Sequence, residues 1–209
     1  MERLLYVGEI AVDPAAGAQL AERFLAERES DARAPRSVYR SADGDRIVEL
    51  VAIDGWAAVP EVLAARDRFA RSVTPALAGD WHAQLLTFVE DLTPGPERVP
   101  RSPGLELRHI EVPLAVHAEY LPWRRSTLFP PVAHRPEIDE FTAYHSLLST
   151  RPGVTFVVGF STDPAAYRAV YETPEYREVL RQAGSRYIAG GLGALHTEIF
   201  TRVASPVPA

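Results

Sequence analysis

Two short strings carry the most concentrated chemistry in this chain: His109-Ile110-Glu111 and His196-Thr197-Glu198. In an extended backbone, side chains two residues apart share a face. Each string therefore offers an imidazole and a carboxylate side by side. A His paired with a Glu can hold one tautomer and move a proton near neutral pH. Two His and two carboxylates could instead hold zinc, iron or manganese. They could also form a polar layer of hydrogen-bonded ion pairs inside a barrel. Glu9, with His82 and Gln84, is a thinner version of the same pattern in the first half of the chain.

A second set of residues is aromatic and cationic. Tyr120, Trp123, Arg124 and Arg125 fall on one expected helix, and Tyr144 and His145 on the strand after it. Tyr167, Tyr171, Tyr176 and Tyr187 belong to the last helical stretch, and Phe200 shares a strand face with His196 and Glu198. Flat rings bordered by hydroxyls and an arginine suit a planar, polyoxygenated aromatic molecule. They could also stabilise a phenolate or enolate by hydrogen bonds. The same spacing serves an ordinary core. The matching helix of the first half, Ala15–Arg28, carries only Ala, Glu, Gln, Gly, Leu, Phe and Arg and reads as scaffold.

The elements that must position these residues occur twice. Residues 3–92 and 105–203 each read strand, helix, strand, strand, helix, strand. Trp81–Thr87 and Leu195–Thr201 are the matching last strands, and Asp54 matches Asp163 at the start of a helical stretch. Asp13-Pro14 and Asp163-Pro164 read as an N-cap followed by proline in the first turn. Ala42-Asp43-Gly44 and Arg151-Pro152-Gly153 read as hairpin turns. The expected strands include Arg3–Val12, His82–Leu92, Leu105–Leu114 and Leu192–Val203. Arg3–Val12 alternates, with Leu4, Tyr6, Ile10 and Val12 on one face and Glu9 on the other. Trp56–Ala70 and Pro164–Gly184 are each expected as a single helix. In Leu105–Leu114, Ile110, Val112 and Leu114 should face the helices, sending His109 and Glu111 to the other side. Residues 93–104 hold four prolines in twelve positions and read as a stiff, extended linker. Residues 204–209 read as a tail.

A βαββαβ unit closes as a four-stranded antiparallel sheet with both helices on one face. Two such units can bury their bare faces against each other, giving an α+β barrel within one chain. First and fourth strands are neighbours in such a sheet, so His109, Glu111, His196 and Glu198 should meet inside. Of the two halves, residues 105–203 carry the reactive side chains and residues 1–92 the scaffold.

Composition narrows the function. A net charge of −6 argues against a nucleic-acid surface, which would need a basic stripe. No apolar run reaches the length of a bilayer span, and the N-terminal residues lack a signal-peptide layout, so a cytoplasmic location is expected. The chain has no Cys, which removes thiol catalysis and thiolate metal sites. It also has no Lys, and all 22 basic residues are Arg, which removes Schiff-base chemistry. The glycines from Gly190 to Gly193 read as a helix stop. His117 reads as a helix N-terminal residue without a chemical role, and His134 as an exposed loop residue.

The chain resembles the dimeric α+β barrel superfamily. Its second half is most similar to the antibiotic-biosynthesis monooxygenase and aromatic polyketide cyclase branches. The resemblance is carried by Trp123-Arg124-Arg125, by Pro152–Val158 and by Thr173-Pro174-Glu175-Tyr176-Arg177. It implies a secondary-metabolism enzyme acting on a polycyclic aromatic or polyketide-like small molecule, as a cyclase or a monooxygenase that needs no cofactor. The expected base is His109 or His196, oriented by Glu111 or Glu198. Trp123, Arg124, Tyr144, His145, Tyr171 and Phe200 would bind substrate. The monooxygenase branch often uses an Asn, and this chain has none, which favours cyclisation. No metal is expected, and the assembly is a monomer or a homodimer. The alternatives are a barrel that binds a small ligand without turnover, or one that holds haem or a metal.

Overall fold

The computed structural model describes residues 3–29, 34–149 and 153–203, with side chains from 27 to 29 excepted. Eight antiparallel strands form one closed barrel: β1 (Arg3–Val12), β2 (Arg36–Ser41), β3 (Arg46–Asp54), β4 (Leu77–Thr93), β5 (Gly104–Ile110), β6 (Glu140–Leu148), β7 (Val154–Phe160) and β8 (His196–Arg202). Around the barrel the order is β1-β3-β2-β8-β5-β7-β6-β4. Each half keeps the order of a ferredoxin-like sheet, β4-β1-β3-β2 and β8-β5-β7-β6. The two sheets join at their edges, β2 to β8 and β4 to β6.

Those joins explain strand lengths that local patterning misses. β4 begins at Leu77, five residues before the expected start, because it serves two partners. Its residues 77–87 pair with β1, while residues 85–93 pair with β6 through several register shifts. β5 ends at Ile110 instead of Leu114. Pro113 lacks an N–H and pulls Val112 from the ladder, and Leu114 becomes the first residue of helix α3 (Leu114–Trp123), 90% exposed. β8 likewise starts at His196, four residues late, after a 3₁₀ turn over Gly191–Ala194 that follows the left-handed Gly190.

Helix α1 (Pro14–Glu29) starts as expected, with the Asp13 carboxylate accepting from the Ala15 N–H at 2.9 Å. Helix α2 (Val59–Val73) follows a 3₁₀ turn at Trp56–Ala58. Asp54 does not cap it; that carboxylate pairs with Arg98. The expected helix Pro164–Gly184 is two helices, α4 (Pro164–Ala169) and α5 (Pro174–Arg186). Pro174 cannot donate to the preceding turn, and the Thr173 hydroxyl caps the new helix from the Tyr176 N–H at 3.2 Å. α3 carries Pro122 and runs into a π-helical turn over Arg124–Leu128. The Arg151-Pro152 part of the second turn, the charged run from Glu27 to Asp31 and the tail beyond Val203 are outside what is described, apart from the backbone of residues 27–29.

Alternation along the strands sorts the apolar residues into an inside and an outside. The barrel interior holds Leu5, Val7, Tyr39, Val48, Leu50, Leu86, Leu105, Tyr144, Val157 and Phe200. The outer faces bury separate clusters beneath the helices of each half. Residues 94–103 do more than join the halves. They lie across the end of the barrel where β4 stops and β5 starts. Val99 enters the interior cluster with no exposed surface, and the Tyr39 hydroxyl donates to the Pro100 carbonyl at 2.9 Å. Arg98 reaches Asp54 on β3, Ser102 donates to Asp139 beside β6, and Arg202 of β8 donates to the Arg101 carbonyl. This segment is the stopper of that end.

Because Val99 fills the interior from the linker, Val99→Ala is expected to cost about 2 kcal/mol for the lost methyl groups and residual cavity. The check is a lower denaturant midpoint with an unchanged slope.

Candidate functional site

The opposite end of the barrel carries the polar residues. Adjacent strands β5 and β8 place His109 directly across from His196. The two rings lie 6.4 Å apart, centroid to centroid, and 27° from parallel. Glu198, two residues along β8, turns to the same interior face. A cavity of about 30 Å³ opens there, bordered by Glu9, Gln84, His109, Thr155, His196 and Glu198 above a floor of Val7 and Leu107. That is room for one or two water molecules. His196 is exposed at the rim and His109 is half-buried below it.

The carboxylates that face the cavity are bound by an arginine. Glu198 accepts from the Arg46 guanidinium at 2.5 Å, and Glu9 sits 3.3 Å from the same group. Arg46 thus ties β3 to β1 and to β8, with its guanidinium 5.6 Å from the Phe200 ring centre. Glu111 is outside the site. It follows the end of β5, is exposed, and its carbonyl accepts from the Ala189 N–H. Pro113 is the reason, since it ends the alternation that would have turned Glu111 inward. Among the described residues, no three His, Asp or Glu side chains converge as a metal-binding group. The two-His, two-Glu metal set of the sequence reading does not assemble.

The aromatic set is scattered over both faces of the sheet. Tyr144 and Phe200 point into the barrel core, where burial pushes the Tyr144 hydroxyl up to about 12. His145, the next residue, points outward. Its Nε2 lies 3.2 Å from Nε2 of His117 on α3. Burial, the neighbouring His117 and Arg124 together push His145 down to about 4. Trp123 packs on Tyr187, with ring centres 4.8 Å apart. Arg124, fully buried, reaches back to Glu90 on β4, which also binds Arg125 at 2.5 Å. Burial would raise the Glu90 carboxyl, but hydrogen bonds from Arg125 and Arg124 outweigh it and hold the group below the usual carboxylate range.

Tyr171 belongs to another cluster, under α4 and α5. Glu106 and Arg108 alternate outward from β5, against expectation for a helix-covered face, and form a buried ion pair at 2.8 Å. Arg108 also donates to the Tyr176 hydroxyl at 2.7 Å, and its guanidinium lies 4.2 Å from the Tyr171 ring centre. Burial pushes the Glu106 carboxyl up, with Arg108 pulling it down. Burial also raises the hydroxyls of Tyr167, Tyr171 and Tyr176.

Sequence reasoning missed Arg46, Thr155, the Glu106–Arg108 pair and the chemistry of His117. Parity could have found the first and third. Arg46 alternates with Val48 and Leu50, and Glu106 and Arg108 alternate with Ile110.

Compared by sequence, the chain matches no family model and no curated protein. Its fold, by contrast, matches solved structures over nearly the full length. A putative monooxygenase from Fusobacterium nucleatum subsp. nucleatum superposes with a TM-score of 0.70 at 8% identity, covering 97% of this chain and 93% of that one. The chain folds as an intrachain dimeric α+β barrel. An anthrone oxidase-like protein shares this barrel with a TM-score of 0.69 at 12% identity, over 98% and 92% of the two chains. A putative chlorite dismutase does so with a TM-score of 0.67 at 13% identity, over 98% and 96%. At these identities the likeness is one of fold.

Glu90 neutralises a fully buried guanidinium, so Glu90→Gln is expected to destabilise the barrel by roughly 3 kcal/mol near neutral pH. A carboxyl held low in the folded state stabilises above its unfolded pKa, and that contribution is lost as pH falls through the folded value. The stability gap between the wild type and the variant should therefore close in acid, as read by chemical unfolding at a series of pH values.

Proposed function

We propose that this chain is an acid–base enzyme acting on an aromatic, polyketide-like small molecule at the open end of its barrel. The observation that carries this reading is the facing pair His109 and His196, set beside a cavity bordered by Thr155, Gln84 and the Arg46-bound Glu198. A neutral imidazole there can take a proton from an acidic phenol or a β-dicarbonyl. The anion that results can accept hydrogen bonds from the second imidazole and the Thr155 hydroxyl, with Arg46 adding positive potential. A carbon of that anion then adds to one of the molecule's own carbonyls, the C=O π pair becoming an alkoxide that recovers the proton from the imidazolium. Alternatively it combines with dioxygen to give a peroxide anion that takes the same proton. Consumption of dioxygen distinguishes oxygenation from cyclisation. Solved structures of the same fold that are named putative monooxygenase and anthrone oxidase-like support an enzymatic reading.

The cavity is too small for the ring system itself. An apolar groove of about 160 Å³ lies on the outer side of the sheet beneath α2, lined by Tyr6, Ile53, Val62, Leu63, Leu85 and Leu148 among others. Its volume is close to the roughly 150 Å³ that accepts a benzene ring in an engineered cavity. Gln84 borders both the groove and the histidine cavity. In this reading an oxygenated edge enters the histidine cavity through the open end of the barrel while the rings stay at the rim, and the groove is a separate apolar site across the sheet wall. The nearly wholly apolar groove also favours a second reading, in which the barrel binds a small apolar ligand without turnover.

His109→Ala and His196→Ala are expected to lower kcat by about 10²–10⁴ on a hydroxylated tricyclic or β-dicarbonyl substrate, with ligand affinity changed far less. Steady-state kinetics and equilibrium binding read the two effects separately. Full activity in both variants would overturn the mechanism. Binding without turnover of any such compound would favour the second reading.

A further inference from the structure

The pair His117 and His145 lies outside the barrel and takes no part in the proton transfer proposed above. His117 is the fourth residue of α3 and His145 the sixth of β6. Their Nε2 atoms are 3.2 Å apart and their ring centres 4.6 Å apart, with the planes at 75°. Two nitrogen ligands on one tetrahedral zinc, each at about 2.0–2.1 Å, stand about 3.3 Å from each other. The spacing therefore matches two neighbouring corners of a zinc tetrahedron. Both side chains are only partly buried, so water has access to the remaining corners.

Arg124 acts on His145, and the Glu90 carboxylate, shared by Arg124 and Arg125, offsets one of those two positive charges. The residual charge keeps cation affinity modest.

We propose that His117 and His145 form a two-imidazole site for a divalent transition-metal ion of the zinc class, with water completing the shell. In the hydrogen-bonded pair one Nε2 carries a proton. On coordination that ring adopts the Nδ1–H tautomer, leaving both Nε2 lone pairs for the metal. Such an ion joins α3 to β6 at the point where an imidazole–imidazole hydrogen bond links them. Two protein ligands predict modest, micromolar affinity, well short of a closed structural site.

The test is calorimetric titration of the full chain, freed of metal by chelator, with Zn²⁺ alone, alongside thermal unfolding with and without Zn²⁺. The expected result is one ion per chain and a melting temperature that rises with free Zn²⁺. His117→Gln and His145→Gln, each shown to be folded by circular dichroism, should weaken binding at least tenfold and abolish the thermal shift. His109→Gln and His196→Gln should leave both intact. Binding below a tenth of an equivalent, binding indifferent to His117 and His145, or binding lost instead with His109 and His196 would each overturn the proposal.

Discussion

The whole molecule depends on satisfying the edge strands of its two sheets. A four-stranded sheet exposes a row of unpaired backbone N–H and C=O groups along each outer strand, and those groups need partners. Here β2 finds β8 and β4 finds β6, so every strand of the barrel has two neighbours. β4 meets this demand with seventeen residues and repeated register shifts. Closure also fixes which faces turn inward, and so places His109, His196, Glu198, Arg46 and Glu9 at one end. Barrel and site thus follow from one hydrogen-bonding requirement.

Closure within one chain has a second effect. The two halves no longer need the same side chains, because no symmetry operator copies one onto the other. The position matching His109 is Val7, and the one matching Glu198 is Gln84, yet all four border the same cavity. Arg46 from the first half supplies the guanidinium that binds Glu198 of the second. Both halves therefore build the site, although its imidazoles come from residues 105–203 alone.

Much of this was legible in the sequence, and the failures have local physical causes. Period-two alternation in Arg3–Val12 placed β1 to the residue, and Asp13-Pro14 and Asp163-Pro164 marked true helix starts. The same alternation put His109 and His196 on one face of neighbouring strands. It failed at Glu111, where Pro113 cuts the strand short. It failed also at Pro174, which splits a helix that the apolar spacing made look continuous. The aromatic residues were harder to place because helical spacing says that a ring is buried without saying against what. Tyr144 packs inside the barrel, whereas Trp123 and Tyr171 both pack against the outer core of the second half, Trp123 on Tyr187 and Tyr171 beside Arg108. The partnership of His117 with His145 depends on how α3 lies across β6, a tertiary angle that no spacing encodes.

The stopper formed by residues 94–103 shapes traffic as well as stability. With Val99 seated in the interior and the linker tied to β2, β3, β8 and the start of β6, the barrel is a blind vessel. Whatever reaches the facing imidazoles arrives and departs through one doorway. In the reaction proposed above, product would have to clear the rim before the next substrate entered, with the rim residue His196 in the path of both.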